Sequence, residues 1–174
     1  MRVFGIDCGT GCTGYGVVEM QTGPRDSHLV AVAAGGLKLD RKDSMPQRLA
    51  YIFSELTELL ESYCPDVVAI EEVFYSVNAK SALKLGQVRG VALLAAARLE
   101  LPVVEYAPLT IKSSVVGYGL AQKDQVGYMV ARLLNLEKAP EPADAADALA
   151  IAICHLHSAQ TLSLHRESLA ARPL

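Results

Sequence analysis

Apolar positions in this chain change their period twice. Residues 2 to 7, 13 to 20 and 29 to 39 are β-rich runs separated by Gly, Pro, Asp and Ser clusters, and they predict three strands in an antiparallel meander. From Leu49 the period turns helical, with Leu49, Ile52, Phe53, Leu56, Leu59 and Leu60 recurring on one face, Ser44 as a candidate cap and Pro46 in the first turn. Pro65 ends that helix. The apolar run DVVAI at 66 to 70 then predicts a strand buried on both faces that closes on Glu71. After a polar link over 75 to 80 come a long helix at 81 to 99, a short strand PVVEY at 102 to 106, and helical segments near 109 to 115 and 122 to 134. A last helix starts around Ala143. Residues 158 to 174 mix Ser, His, Arg and Pro without firm periodicity and read as a flexible C-terminal tail behind a domain of residues 1 to 157. The order β-β-β-α-β-α-β-α-α predicts an α/β domain with a mixed sheet, antiparallel in its first hairpins and joined by helical crossovers afterwards.

Composition narrows the class. At 174 residues the chain suits one domain with its own core, and no apolar run approaches the roughly 18 residues of a membrane span. The start of the sequence is strand-like and lacks a signal-peptide pattern, so a cytoplasmic location is expected. Cys8, Cys12, Cys64 and Cys154 show no C-x-x-C spacing, which argues against a disulfide framework or a structural zinc. The net charge of −3 hides an uneven distribution. Residues 40 to 72 hold eight acids against three bases, whereas residues 76 to 132 hold seven bases against three acids, which suggests a basic surface beside an acidic centre.

The stretch GIDCGTGCTGYGVVEM at 5 to 20 contains the G-x-G-x-x-G of a dinucleotide loop at Gly9, Gly11 and Gly14. That loop must open a helix, because the helix N-terminus binds the pyrophosphate, and here a strand follows. The D-x-G-T of sugar kinases and actin fits DCGT at 7 to 10, but those ATP-binding folds need a second lobe that one short chain lacks. The remaining reading makes Asp7 a metal ligand and the glycines room for a phosphodiester to approach the sheet. Further carboxylates then matter. Glu71 and Glu72 end the strand expected beside the first, and PADAADALAIAICH places Asp144 and Asp147 three apart on one helical stripe. Asp144 also suits a helix N-terminus, where the dipole favours an acid. Asp147 sits among alanines, where an acid calls for a partner or a metal. Hard oxygen ligands with room for phosphate select Mg²⁺ or Mn²⁺, and two such ions about 4 Å apart do nuclease chemistry.

Taken together, the blocks GIDCGTGCTGYGVV, AIEEVF, NAKSALKLGQVRGVA, VVGYG, KDQVGYMV and ADAADALAIAICH resemble RuvC-type Holliday junction resolvases of the ribonuclease H-like superfamily, over about residues 2 to 157. The resemblance implies a ribonuclease H-like five-stranded sheet flanked by helices. It implies Asp7, Glu71, Asp144 and Asp147 as a metal-binding catalytic tetrad holding two Mg²⁺ ions, with Mn²⁺ able to substitute. Cys8 stands where the family commonly has proline, and a thiol there raises the question of oxidation. Phe74 matches an aromatic that stacks on an unpaired base at the open crossover. Lys112 and Lys123 match lysines that contact the backbone near the scissile phosphate, and Arg89, Lys84 and Asn78 are weaker candidates for such contacts. The expected activity is symmetric paired nicking of four-way junction DNA by a homodimer, leaving 5′-phosphate ends, in recombination and repair alongside the RuvA–RuvB branch-migration complex. Gly86 and Gly90, one turn apart in the helix at 81 to 99, suit either close packing between subunits or burial within one. Two alternatives stand beside this reading: an ASKHA-like nucleotide-binding protein, and a non-catalytic ribonuclease H-like nucleic-acid-binding protein.

Overall fold

The structure, a computed structural model, describes residues 1–23, 27–72 and 79–170, with side chains described through Leu162. The elements run β1 (Arg2–Asp7), β2 (Cys12–Thr22), β3 (Ser27–Lys38), α1 (Met45–Tyr63), β4 (Val67–Glu71), α2 (Ala79–Arg98), β5 (Val103–Tyr106), α3 (Pro108–Val116), α4 (Lys123–Leu133) and α5 (Ala143–Ala170). The segments near 109 and 122 are separate helices, so three helices follow β5 where the predicted order counted two. One five-stranded sheet forms in the order β3-β2-β1-β4-β5. β1 pairs antiparallel with β2, and β2 with β3, while β4 runs parallel to β1 and β5 parallel to β4. This is the mixed α/β sheet that the sequence predicts.

Local chemistry explains why the elements stop where they do. At the start of α1 the Ser44 amide donates to Gln47 Oε1 at 2.9 Å, and Pro46 occupies the first turn, where its missing N–H costs nothing. Ile52, Leu56 and Leu60 form its buried face. Cys64 then adopts a left-handed conformation with its N–H returned to the Leu60 carbonyl, and Pro65 prevents the helix from going on. α5 behaves differently from the expected tail. Residues 158 to 170 contain neither Gly nor Pro, so nothing there breaks the helix, and its backbone continues to Ala170.

Strand alternation sorts the core into two layers. Phe4, Ile6, Val68 and Ile70 face α1 and α2, whereas Val3, Val67 and Ala69 face α3, α4 and α5. The same parity sends Asp7, Glu71 and Tyr106 to the α5 side. There the sheet is stripped of side chains. A Cβ on Gly5 would overlap the Ala148 carbonyl oxygen, one on Gly14 would overlap that of Asp144, and one on Gly16 would lie 2.7 Å from the Leu149 nitrogen. Alanines on α5 complete the fit, with Ala145, Ala148 and Ala152 wholly buried. Backbone rests on backbone, which fixes the height of α5 above the strand ends.

Candidate active site

The site grows from three termini that meet. Ile6 pairs with Ile70, so Asp7 and Glu71 leave β1 and β4 as neighbours, and Glu71 in turn pairs with Tyr106 of β5. α5 enters above them with Asp144 in its first turn and Asp147 in its second. Asp7, Glu71 and Asp147 line one cavity of about 110 Å³ together with Lys112 of α3 and Lys123 of α4. Asp144 stands outside that lining, on the β2 side beside Cys12, close enough for its charge to act on Asp7.

Crowding of like charges shows in the proton affinities. Burial pushes the Asp7 carboxyl from 3.8 up to about 7, the charges of Asp147, Glu71 and Asp144 add to the rise, and Lys123 opposes it. Glu71 is raised as well, first by burial and then by Asp147, against the pull of Lys123 and Lys112. Lys123 Nζ donates to Asp147 Oδ2 at 2.8 Å. That bond, helped by the nearby acids, strengthens the hold of Lys123 on its proton. The lysine reaches in from the surface, its side chain 78% exposed, so the pair adds little to stability. Its ammonium occupies the kind of place a cation would take.

Among the described residues no three His, Cys, Asp or Glu side chains are drawn together tightly enough to cage an ion unaided. Hard cations such as Mg²⁺ rarely need that, since they keep several waters and take one or two carboxylates along with phosphate oxygens. An all-oxygen donor set, crowded with like charge and already facing an ammonium, fits such an ion.

Other expected residues land in various places. Arg89, only 18% exposed, is ion-paired with Glu105, so its guanidinium joins α2 to β5 within the fold. Lys84 is exposed on α2. Phe74 and Asn78 lie outside the described residues. Burial lifts the Cys8 thiol to about 12, with Asp7 adding to the rise, which is the reverse of an oxidation-prone thiolate. The opening glycines need correction. Gly14 makes room for Asp144 of α5 where the sequence reading made room for DNA, Gly9 closes the β1–β2 link against the Cys12 carbonyl, and Gly11 faces open space. The sequence reading also missed Gly5 and Gly16 in this role. Their signal was present, as glycines on alternate positions of two strands opposite an alanine-rich helix.

A mixed sheet with β1 between an antiparallel β2 and a parallel β4, and with acids at the ends of β1, β4 and the start of the crossing helix, is the ribonuclease H-like fold. The family model described as crossover junction endodeoxyribonuclease RuvC matches residues 3–155. A crossover junction endodeoxyribonuclease RuvC of Acidobacterium capsulatum is 64% identical over 165 residues, which span 93% of this chain and 96% of that protein. The RuvC structure of Thermus thermophilus superposes with a TM-score of 0.84 at 34% identity, covering 92% of this chain and 96% of that one. The same protein in complex with Holliday junction substrate gives 0.83 at 31% identity over the same shares. The chain belongs to the RuvC family.

Proposed function

We propose that this chain is a structure-selective endonuclease that resolves four-way Holliday junctions by paired nicking, and that Asp7, Glu71, Asp144 and Asp147 are its catalytic, metal-holding residues. The observation that carries this is the convergence of three further acids on a half-buried Asp7, whose carboxyl is raised to about 7 by burial first and by those acids next, in a cavity that two lysines share. When bound between these carboxylates, two Mg²⁺ ions, or Mn²⁺ in their place, supply an activated water and neutralise charge on the leaving oxygen. The chain's own groups do the rest. Lys112 and Lys123 attract and orient the phosphate beside the acids, and the basic residues around them hold the DNA against salt. Lys123 exchanges Asp147 for a phosphate oxygen as the backbone enters. The family is one of nucleases, and three further acids act on Asp7, which favours this reading over the nucleotide-binding and non-catalytic alternatives. The test is nicking of a synthetic four-way junction beside a duplex of the same sequence, with and without Mg²⁺. Metal-dependent cuts at symmetric positions in two strands are expected, and cleavage of the duplex at an equal rate overturns the reading.

Symmetric cuts need two sites related by a two-fold axis, which makes a homodimer the expected working form. The outer face of α2 suits its interface. A Cβ on Gly86 or Gly90 would meet nothing within 4 Å, so burial within one subunit does not account for these glycines. Leu83 and Leu94 on the same stripe are 72% and 52% exposed. Replacing both leucines (Leu83→Glu with Leu94→Glu) is expected to give a folded monomer in sedimentation and to uncouple the two nicks. A dimer that survives the pair of changes places the interface elsewhere.

Phe74 follows Glu71 by three residues. Phe74→Ala is expected to slow junction nicking by roughly 10-fold or more while leaving duplex binding unchanged, since stacking on an unpaired base contributes about 1–3 kcal/mol. Full activity in the mutant removes that role. Cooperation with RuvA–RuvB and a cytoplasmic location belong to the same reading. Among the described residues no helix is long and apolar enough to cross a membrane.

A further inference from the structure

The four acids come from two separate supports. Asp7 and Glu71 ride on the sheet, while Asp144 and Asp147 ride on α5. Gly5, Gly14 and Gly16 set the height of α5 over β1 and β2, and its β4–β5 side is seated by other contacts. Polar contacts hold that side of α5, from Ser114 of α3 to His157, from Lys123 of α4 to Asp147, and from Tyr106 of β5. The Tyr106 hydroxyl and His155 Nδ1 lie 2.8 Å apart, with the rings edge to face at 5.9 Å. Tyr106 is the ladder partner of Glu71, and its carbonyl accepts the Glu72 amide at 2.8 Å. His155 sits on α5 about two turns, roughly 12 Å, beyond Asp147. Tyr106 therefore links the strand-borne acids to the helix that carries the other two. Both groups are half-buried, where a hydrogen bond is harder for water to replace. Burial also lowers the proton affinity of His155, in keeping with a neutral ring.

We infer that the Tyr106–His155 hydrogen bond is a positioning link that sets Asp147 and Asp144 against Glu71 and Asp7, so that divalent-cation retention depends on it although neither residue touches the ion. This rests on the metal-dependent nuclease reading. Groups hydrogen-bonded to metal ligands typically matter 10- to 100-fold in metal affinity, and a link acting through the backbone is expected at the lower end. A residue serving only stability would not show that effect.

The test compares Tyr106→Phe, His155→Leu and His155→Asn with the wild-type chain. Asparagine keeps a hydrogen-bonding group near the position of Nδ1 and serves as the conservative replacement. Two quantities are read: the rise in Tm on adding Mn²⁺ to DNA-free protein, and the Mg²⁺ concentration that half-saturates single-turnover nicking of a four-way junction. Tyr106→Phe and His155→Leu are expected to need roughly 10-fold more metal in both, with junction affinity in EDTA unchanged and His155→Asn close to wild type. The metal-free Tm of each variant is measured alongside. Variants that lower that Tm yet keep the wild-type metal dependence overturn the inference while the nuclease reading stands. Should His155→Leu fail to fold, Tyr106→Phe, which loses one hydroxyl, decides alone. A wild-type chain that neither nicks junctions nor gains stability from Mn²⁺ overturns the nuclease reading and the inference with it.

Discussion

Asp7→Asn is expected to lower junction nicking by roughly 10³-fold or more while leaving junction binding intact or tighter, and to make the metal-free protein more stable at neutral pH. The first effect follows from removing one of the charges that would hold a divalent ion, in a site whose electrostatic stabilisation is worth several kcal/mol. Binding depends on lysines and arginines outside the acidic centre and falls with added salt, so it survives the change. The third effect sets the sign. The folded-state carboxyl titrates at about 7, above its ordinary 3.8, so the fold favours the neutral form and pays most when the group is charged. That cost is fully present above about pH 7 and is relieved as the pH falls from 7 towards 3.8. Three units correspond to an upper limit of about 4 kcal/mol, reduced by the water that reaches the site. In EDTA at pH 8 the mutant should therefore melt several degrees higher than wild type, and by pH 4 the gap should close. Equal melting at pH 8 would show that burial and the neighbouring acids do not raise the Asp7 carboxyl.

The strand-borne half of the site was readable from local pattern. DVVAI needed only its apolar run and the preceding Pro65 to be placed as a buried strand, and a strand that ends on an acid beside β1 already puts Glu71 near Asp7. The first helix was equally plain, because Ser44, Pro46 and Pro65 are signals that act within a few residues of themselves. Asp144 and Asp147 needed more. Helical spacing put them on one stripe, but only a packing partner could say that the stripe meets the ends of β1 and β4.

What escaped the sequence were relations between distant residues. A glycine reports that space is needed and does not report what fills it, so Gly14 was read towards a phosphodiester when its occupant is the Asp144 carbonyl, 130 residues along the chain. Arg89 looked like a surface base because its partner Glu105 lies on another element. Tyr106 and His155, 49 residues apart, carry no local signal of their contact. The helical backbone past 158 escaped for a different reason: amphipathic periodicity is absent there, yet a helix already propagating through residues of fair propensity needs a breaker to stop, and none occurs before Pro173.

Gly14→Ala should damage cleavage strongly, though less than Asp7→Asn does, and it removes no functional group. Gly14 has an ordinary negative-φ strand conformation, since Gly117 is the positive-φ glycine among the described residues. Alanine there suffers no backbone strain of its own. The new methyl would instead overlap the Asp144 carbonyl oxygen and lie 3.0 Å from the Asp144 Cβ. Backbone cannot rotate aside as a side chain can, so the first turn of α5 has to lift from β2. Overpacking of this kind costs about 1–3 kcal/mol of stability. A shift on the order of 1 Å in a catalytic group costs about 10²-fold in rate. The expected result is a folded protein that binds junctions normally and nicks them roughly 100-fold more slowly, with a Tm lowered by several degrees. Gly11→Ala is the control from the same stretch, because a Cβ there meets nothing within 4 Å. It should nick at the wild-type rate. If the glycines instead admitted the phosphodiester, both variants would lose DNA affinity, and Gly11→Ala would not be silent. Near wild-type nicking by Gly14→Ala would mean that α5 can yield without moving its acids, and that the close seat of helix on sheet does not set the geometry of the site.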